Sequence, residues 1–212
     1  MPSSAPRHYV EALFDDYAEQ FDEHLVGQLG YQAHRVLVEQ LLALPQASGG
    51  GFASALDLGC GTGLCGPLLQ GHVKRLTGID LSAQMLARAR ATGAYQELAQ
   101  ADIQDYLGAA TGPHHDLVLS ADVFIYVGAL EAVFGGVNRV LQPGGIFCFS
   151  VEKAEDAVGV KLTRGLRYAH ARHYLLDLAG QHGLDLVKVV EHPIRQDQGI
   201  NIDGLFVYLS KR

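Results

Sequence analysis

Cysteine is scarce in this sequence, and its few cysteines are not spaced for a shared structural role. Among 212 residues there are three, Cys60, Cys65 and Cys148. Their number is odd and no pair has C-x-x-C spacing, which argues against a disulfide framework and against a structural zinc site. We therefore expect no bound metal and a location in the reducing cytoplasm.

Long apolar segments are also missing. No stretch approaches the roughly 20 apolar residues of a membrane span, and the amino-terminal residues MPSSAPRHYVEALFDDY contain no apolar run after a basic start. We expect neither a membrane anchor nor a signal peptide. The length suits one domain over residues 1–212, with a helical cap (1–45) joined by a glycine-containing stretch to a sheet core (52–212).

Basic residues are fewer than acidic ones. The sequence has 16 Lys and Arg against 23 Asp and Glu, which gives a formal charge of −7. A negative surface repels phosphate backbones, so we expect no nucleic-acid partner. Hydrophobic residues make up 48% and charged residues 18% of the chain, a balance that favours a folded globular protein over disorder.

The apolar residues follow a helical pattern first and a strand pattern later. Phe14, Tyr17, Phe21 and Leu25 recur at spacings of three and four, which predicts one helix face, and residues 31–44 continue as a second amphipathic helix. The later runs alternate with helical segments and predict seven strands, at 55–58, 75–80, 95–101, 116–121, 146–151, 184–190 and 204–209. This alternation predicts an α/β fold, with a mostly parallel sheet and helices on both faces. No helix fits between the last two strands, so we expect a hairpin there and an antiparallel last strand.

A glycine-rich loop directly follows the first strand, at residues 57–63, DLGCGTG. Glycines let a ligand approach the backbone, and the start of the next helix presents free N–H groups. Gly61, Gly63 and Gly66 match the G-x-G-x-x-G dinucleotide fingerprint, and Asp80 ends the second strand where a ribose-binding acid belongs. Asp57 favours another ligand, because a carboxylate there repels a pyrophosphate but can hold an ammonium group. The terminal hairpin and the lack of a second substrate domain also argue against a dinucleotide.

Four motifs in order resemble those of class I S-adenosylmethionine-dependent methyltransferases. ALDLGCGTG resembles their first motif, and TGIDLSAQML the second, which implies that Asp80 binds the ribose hydroxyls. AQADIQDY resembles the third and implies adenine contacts from Asp102 and the Ile103 backbone, while DLVLSADVFIYVG and LQPGGIFCFSVE are similar to the fourth and the stretch after it. The flanks LFDDYAEQFDEHL and RYAHARHYL look like predicted bacterial methyltransferases that are sometimes fused to tetratricopeptide repeats, although no repeats occur here.

This resemblance implies a fold, a cofactor and a set of binding residues. The fold is a Rossmann-like sheet of seven strands with an N-terminal helical lid, and the cofactor is S-adenosylmethionine. Tyr17 is the expected lid contact, although its helix face could instead pack on the sheet. The other expected cofactor-binding residues are Asp57, Gly59, Cys60, Gly61, Gly63, Asp80, Leu81, Met85, Asp102, Ile103 and Ser120.

The acceptor side of the site is less defined by the sequence. Tyr168 and His170 follow the fifth strand and are candidate general bases, because both can bond a proton on an acceptor; the alternative is the start of a surface helix. Residues 120–123, SADV, lack an Asn/Asp-Pro-Pro-Tyr/Phe tetrad and a cysteine, which disfavours adenine or glutamine amino groups and cytosine C5. We expect a small-molecule acceptor, with a protein acceptor as the alternative. A nicotinamide-dependent oxidoreductase and a non-catalytic S-adenosylmethionine-binding module are the competing hypotheses.

Overall fold

A central sheet with helices on both faces organises the computed structural model, which describes residues 4–18, 30–47, 49–154, 159–163, 165–197 and 199–212, without the side chains of Tyr17 and Asp197. Within this part of the chain the strands are β1 (Phe52–Leu58), β2 (Val73–Asp80), β3 (Glu97–Gln100), β4 (His115–Ser120), β5 (Leu141–Lys153), β6 (Val160–Leu162), β7 (Tyr168–His170), β8 (Leu184–Asp197) and β9 (Ile200–Lys211). The helices are α1 (Arg7–Tyr17), α2 (Ala33–Leu42), α3 (Cys65–Leu69), α4 (Ala83–Ala91), α5 (Ile103–Ala109), α6 (Glu131–Val140) and α7 (Arg172–Gln181).

The strand order is β3-β2-β1-β4-β5, with these five strands parallel to one another. Strand β9 then pairs antiparallel with β5, and β8 pairs antiparallel with β9. The predicted fold class is therefore confirmed, including the terminal hairpin and the antiparallel last strand. Because β1 lies between β2 and β4, the order reverses there, and ligands of such sheets bind beyond the carboxyl ends of the strands at that point.

The prediction of seven strands is wrong, because the described residues form nine. Strand β7 runs parallel to the end of β5, with Ala169 opposite Glu152, and β6 pairs antiparallel with β7. Strand β4 pairs with β5 only as far as Phe149, and β9 occupies the other edge, so β7 takes the edge that β4 leaves open. Strands of three residues are too short to show an alternation of apolar and polar residues in the sequence. The last residues of β5, which extend beyond the end of β4, pair with β7, and β7 in turn pairs with β6.

Two apolar clusters cover the two faces of the sheet. Successive residues of β4 point to opposite faces, with Val118 in one cluster and Leu117 and Leu119 in the other. Residues of α5, α6 and α7 complete the first cluster, and residues of α2 and α3 complete the second. Burial on both faces explains why the central strands read as continuous apolar runs.

The predicted helical cap divides into two parts with different positions. Leu37 and Leu41 of α2 are fully buried in the cluster on one sheet face, so α2 packs as an ordinary layer helix. Helix α1 instead lies beside α4, at the edge where the ligand loops emerge. Phe21 and Leu25 of the predicted first helix lie outside the described residues.

Three further observations bear on other kinds of site. None of the helices that the structure describes is both long and apolar enough to cross a membrane. All three cysteines are free and buried. Among the described residues, no three His, Cys, Asp or Glu side chains are grouped in a way that could hold a metal ion.

Candidate active site

A cavity of about 430 Å³ lies at the carboxyl ends of β1, β2 and β4. Its walls come from the loops after β1, β2, β3 and β4 and from one face of α1, with single residues added by the segments before α2 and β7 and by β8. This size falls in the usual range for small-molecule sites, and the position is the switch point of the strand order.

The loop after β1 brings bare backbone to the cavity wall. Gly59 and Gly61 both line the cavity and have left-handed backbone, with φ of 70° and 54°. A Cβ atom on Gly59 would lie 2.6 Å from Cγ2 of Val123, so a side chain there would collide with the loop after β4. No atom lies within 4 Å of the place where a Cβ of Gly61 would stand. Glycine at position 59 thus lets the two loops pack closely, and glycine at position 61 leaves room for a ligand against the backbone.

Asp80 joins two of the loops and faces the cavity. Its Oδ2 accepts the backbone N–H of Gly61 at 2.9 Å, and its Oδ1 accepts the N–H of Ser82 at 2.9 Å. Burial raises the pKa of this carboxyl, while these backbone N–H donors lower it. Each carboxylate oxygen has more than one lone pair, so Asp80 can also accept hydroxyl donors from a ligand. A fixed carboxylate beside a glycine loop fits the ribose diol of S-adenosylmethionine.

The part of the cavity beyond Asp80 is apolar with one carboxylate. Leu81, Met85 and Ile103 line it, together with Asp102, the N-cap residue of α5. Oδ1 of Asp102 caps the helix by accepting the N–H of Gln104 at 2.8 Å. Apolar walls with polar groups at the edge fit a flat heterocycle such as adenine.

Asp57 lies beneath the loop and is not part of the cavity wall. Its side chain is almost fully buried and accepts a hydrogen bond from the hydroxyl of Tyr95 at 2.7 Å. Burial raises the pKa of Asp57 to about 7, against the lowering effect of that hydrogen bond. The structure therefore connects this carboxyl to the sheet and to Tyr95 and separates it from the open cavity.

The remaining predicted cofactor residues support the wall from behind. Cys60 is buried against α4, and Gly63 donates its N–H to the carbonyl of Cys60 at 2.9 Å. Ser120 is fully buried and donates its hydroxyl to the carbonyl of Leu58 at 2.9 Å. The side chain of Tyr17, the predicted lid contact, lies outside the described part of the chain.

Neither predicted base lies at the cavity wall. Tyr168 is 3% exposed and His170 is fully buried, and both belong to β7, which ends just before α7 begins at Arg172. Nε2 of His170 lies 3.0 Å from the carbonyl oxygen of Gly128 and 3.1 Å from that of Val127. Burial lowers the pKa of His170 to about 4, which leaves its ring neutral at pH 7. The assignment of either residue as a base stays a prediction without a described contact to the cavity.

The sequence analysis missed an ion-paired group at the acceptor end of the cavity. Asp122, just after β4, lines the cavity, and Nη1 of Arg195 on β8 lies 3.1 Å from its Oδ2. Arg195 also pairs with Glu152 of β5. The position of Asp122 after a strand of the fourth motif was a usable signal. Nothing in the sequence pointed to Arg195, because the β8–β9 hairpin brings it there from 73 residues away.

Helix α1 lies along the cavity and contributes four residues to its wall. Phe14 lines the cavity and packs edge-on against Tyr126, with ring centroids 5.4 Å apart. At one end of the helix, Nη2 of Arg7 lies 3.1 Å from Oδ1 of Asp102. At the other end, Asp15 accepts the hydroxyl of Ser82. The cover is thus held at two points on the loops that form the cavity.

The comparison with known proteins identifies the family. A family model described as a methyltransferase domain matches residues 56–149. This domain belongs to the class I S-adenosylmethionine-dependent methyltransferases. Among its curated relatives, malonyl-[acyl-carrier protein] O-methyltransferase of Enterobacter lignolyticus (strain SCF1) is 36% identical over 147 residues, which cover 69% of this chain and 55% of that protein. The chain spans between 46% and 66% of the length of the first three curated relatives that it matches.

Solved structures of other proteins share this fold. The N-methyltransferase NodS from Bradyrhizobium japonicum WM9, in complex with S-adenosyl-L-homocysteine, superposes with a TM-score of 0.64 at 25% identity and covers 84% of this chain and 85% of its own. The [4+2]-cyclase SpnF reaches a TM-score of 0.76 at 18% identity over 100% of this chain and 99% of its own, which shows the fold alone. The family and cofactor predicted from the motifs are confirmed, while the likeness to the repeat-fused group stays a prediction.

Proposed function

We propose that this chain transfers a methyl group from S-adenosylmethionine to a small-molecule acceptor. The observation that carries the proposal is the carboxylate of Asp80, fixed between the N–H groups of Gly61 and Ser82 at the wall of a cavity at the switch point. Family membership supports the same chemistry. The cyclase of the same fold shows that the fold by itself does not assign a reaction.

The cofactor-binding residues have separate roles in this proposal. Asp80 accepts the ribose hydroxyls, and the backbone at Gly59 and Gly61 lies against the methionine part. Asp102 and Ile103 meet the adenine. Leu81 and Met85 add apolar contacts to its ring, while Asp57, Cys60, Gly63 and Ser120 hold the loops in place from behind and Tyr17 contributes from α1.

The residues of the chain supply alignment and the exclusion of water. When bound, S-adenosylmethionine supplies a methyl group on a positively charged sulfur, already activated for in-line displacement. The loops then have to hold donor and acceptor in line, and positioning of this kind supplies roughly 7–11 kcal/mol of a reaction barrier. Helix α1, with Val10 and Phe14 on the cavity, keeps water from the reacting groups.

The acceptor binds at the end of the cavity where polar side chains converge. Tyr31, Asp122, Tyr126, Arg167 and Arg195 line this end. A covered pocket of this size with a few polar groups favours a small molecule, or a small group carried on a larger one. The name of the relative that methylates malonyl-[acyl-carrier protein] illustrates the second kind.

We further propose that the protein works in the cytoplasm and binds no nucleic acid. The three free, buried thiols support a reducing compartment. The formal charge of −7 supports the second proposal, since it disfavours phosphate backbones.

Thermal melts with S-adenosylmethionine, S-adenosylhomocysteine, NAD and NADP test the proposal. A ligand at 100 times its Kd adds roughly 2.7 kcal/mol to stability, so about 1 mM of a ligand with Kd near 10 µM gives a clear shift. We expect a rise of several degrees with the two adenosyl compounds alone. A rise with a nicotinamide cofactor instead would contradict the proposal. If S-adenosylmethionine binds but no S-adenosylhomocysteine forms with any of a panel of acceptors, the non-catalytic binding module would be favoured.

A further inference from the structure

Asp122 occupies an unusual position at the end of β4. Its backbone has φ of 58°, one of two described non-glycine residues with left-handed φ. The N–H of Asp122 donates to Oγ of Ser150 at 2.8 Å, which fixes the turn. Aspartate tolerates this conformation better than most residues, and strained backbone of this kind concentrates at functional sites. The turn leaves the carboxylate of Asp122 on the cavity wall.

Charged and titratable groups from several elements face this carboxylate. Arg195 of β8 contacts it directly, and Glu152 of β5 shares the same guanidinium. Arg167, before β7, acts on it electrostatically and is hydrogen-bonded to the hydroxyl of Tyr126. Tyr31, before α2, also interacts with Asp122, and burial raises its pKa well above the usual value, so its phenol is neutral at pH 7.

The carboxylate of Asp122 disfavours an anionic nucleophile at its own position on the cavity wall. Arg195 lies between two carboxylates, so its charge is already compensated before any ligand binds. An acceptor carboxylate reacting beside Asp122 would meet a like charge at the wall. A nucleophile that carries an N–H or O–H would instead donate a hydrogen bond to Asp122. Burial raises the pKa of Asp122 to about 6, which suits a base that is ionised at neutral pH.

We propose that Asp122 is a catalytic residue that takes the proton from an N–H or O–H acceptor during methyl transfer. This inference rests on the proposed function. In the step, the acceptor atom forms a bond to the methyl carbon, the carbon–sulfur bond breaks, and its electron pair stays on sulfur. The proton of the acceptor moves to an oxygen of Asp122, so the positive charge lost at sulfur is balanced by the neutralised carboxylate. The acceptor class is therefore an amine, amide, alcohol or phenol.

The chemical class of the product tests the inference although the acceptor is unnamed. The protein is incubated with S-adenosylmethionine carrying a ¹³C-labelled methyl group, a protein-free bacterial metabolite extract, and a mixture of phenols, aliphatic amines and short carboxylic acids. Mass spectrometry finds each molecule that gains the label. Dilute alkali then separates methyl esters, which it hydrolyses, from N-methyl and ether products, which survive. We expect alkali-stable products; labelled esters as the main products would overturn the inference while leaving the proposed function intact.

Matched carboxylate variants test the role of Asp122 itself. With the labelled acceptor, kcat/KM of the parent, which reports the free enzyme, should rise with pH through about 6 and then level off. Asp122→Asn should lower kcat at least roughly a hundredfold and abolish that rise. Glu152→Gln removes the other carboxylate on Arg195, and it should keep the rise but move its midpoint to lower pH, because Glu152 raises the pKa of Asp122.

Calorimetry with S-adenosylhomocysteine separates the ways in which the test can fail. The Asp122→Asn variant should bind S-adenosylhomocysteine with a Kd within twofold of that of the parent. Such binding would show that the cofactor site of the variant is folded. An Asn variant with normal kcat, or one that keeps the pH dependence, would overturn the inference. No labelled product despite tight binding would overturn the proposed function, and the inference with it.

Discussion

The carboxylate of Asp80 is oriented before any ligand arrives. It accepts one backbone N–H from the loop after β1, at Gly61, and one from the loop after β2, at Ser82. Such an arrangement removes the ordering cost that a mobile acid would have on binding. It also means that the side chain has two roles, one in the cavity and one in holding the loops together.

Replacement of Asp80 by alanine should weaken the binding of S-adenosylhomocysteine at least tenfold, measured by titration calorimetry. The loss combines a charge-assisted hydrogen bond to the ligand, worth about 1.5–3 kcal/mol, with the release of two loop N–H groups. Asp116→Ala is a matched control, because Asp116 also accepts two backbone N–H groups, of Ala53 and Ser54, but lies outside the cavity lining. Equal affinity of the Asp80 variant and the parent would remove Asp80 from the binding site.

The sequence motifs identified residues on the cofactor side of the cavity, where each lining segment directly follows its own strand. Asp80, Met85 and Asp102 line it because each lies at or after the end of a parallel strand, and the ends of such strands meet at one edge of the sheet. Asp122 and Arg195 meet only because β9 pairs with both β5 and β8. This contact joins distant segments, so no local sequence pattern encodes it. The burial of His170 likewise depends on β7 pairing with β5.

At the scale of the elements, α1 is attached through polar contacts more than through a core. Asp15 accepts the hydroxyl of Ser82, the N-cap of α4, and so adds negative charge near the start of that helix. Arg7 holds the opposite end to the start of α5. Polar contacts of this kind can open without disturbing the sheet, and a cover of this type sets how fast a ligand leaves.

Asp15→Ala should speed the dissociation of S-adenosylhomocysteine about three- to tenfold in stopped-flow measurements, in line with the loss of one hydrogen bond of ordinary net strength, about 0.5–1.5 kcal/mol. The association rate should change little, because the bond forms after the ligand enters. Asp16→Ala serves as the control, since Asp16 is the neighbouring acid on the same helix and is exposed. Dissociation equally fast from the parent and from both variants would contradict a covering role for α1.

The helical spacing of apolar residues predicted α1, but not the residues that hold it. Arg7 and Asp15 contact acids and hydroxyls that lie 67 or more positions away. Strands β6 and β7 escaped prediction for the opposite reason, since they have three residues each and owe their existence to the partner strand. Longer elements with a repeated pattern were the predictable ones.

At the scale of the whole molecule, burial of both sheet faces places the carboxyl group of Asp57 in the protein interior. Asp57 at the end of β1 is 1% exposed, and burial raises its pKa to about 7 from a usual value of 3.8. The folded protein therefore keeps a proton that the unfolded chain loses above about pH 4. The free energy of unfolding must then fall as pH rises towards 7, and this contribution is constant at higher pH.

Asp57→Asn should remove this pH dependence. The melting temperature of the variant relative to the parent should increase by on the order of 10 °C between pH 4 and pH 8, measured by calorimetry without ligand. Other titrating groups, including Asp122, are present in both proteins and cancel in the difference. Parallel curves across this range would show that Asp57 is already ionised in the folded protein.

The single-domain organisation stays a prediction, and one cooperative transition in the same scans would support it.

The segment after β5 and the loops at the cavity should differ in how much sequence change they tolerate. Strands β6 and β7 join the sheet only at the last residues of β5, beyond the end of β4, so their loss or lengthening shifts no register elsewhere. The loops that hold Asp80 and Gly61 have no such freedom, because each is tied to the other. Divergence among homologues should therefore gather after β5, where new acceptors can be accommodated by insertion, while the donor side stays constant in length.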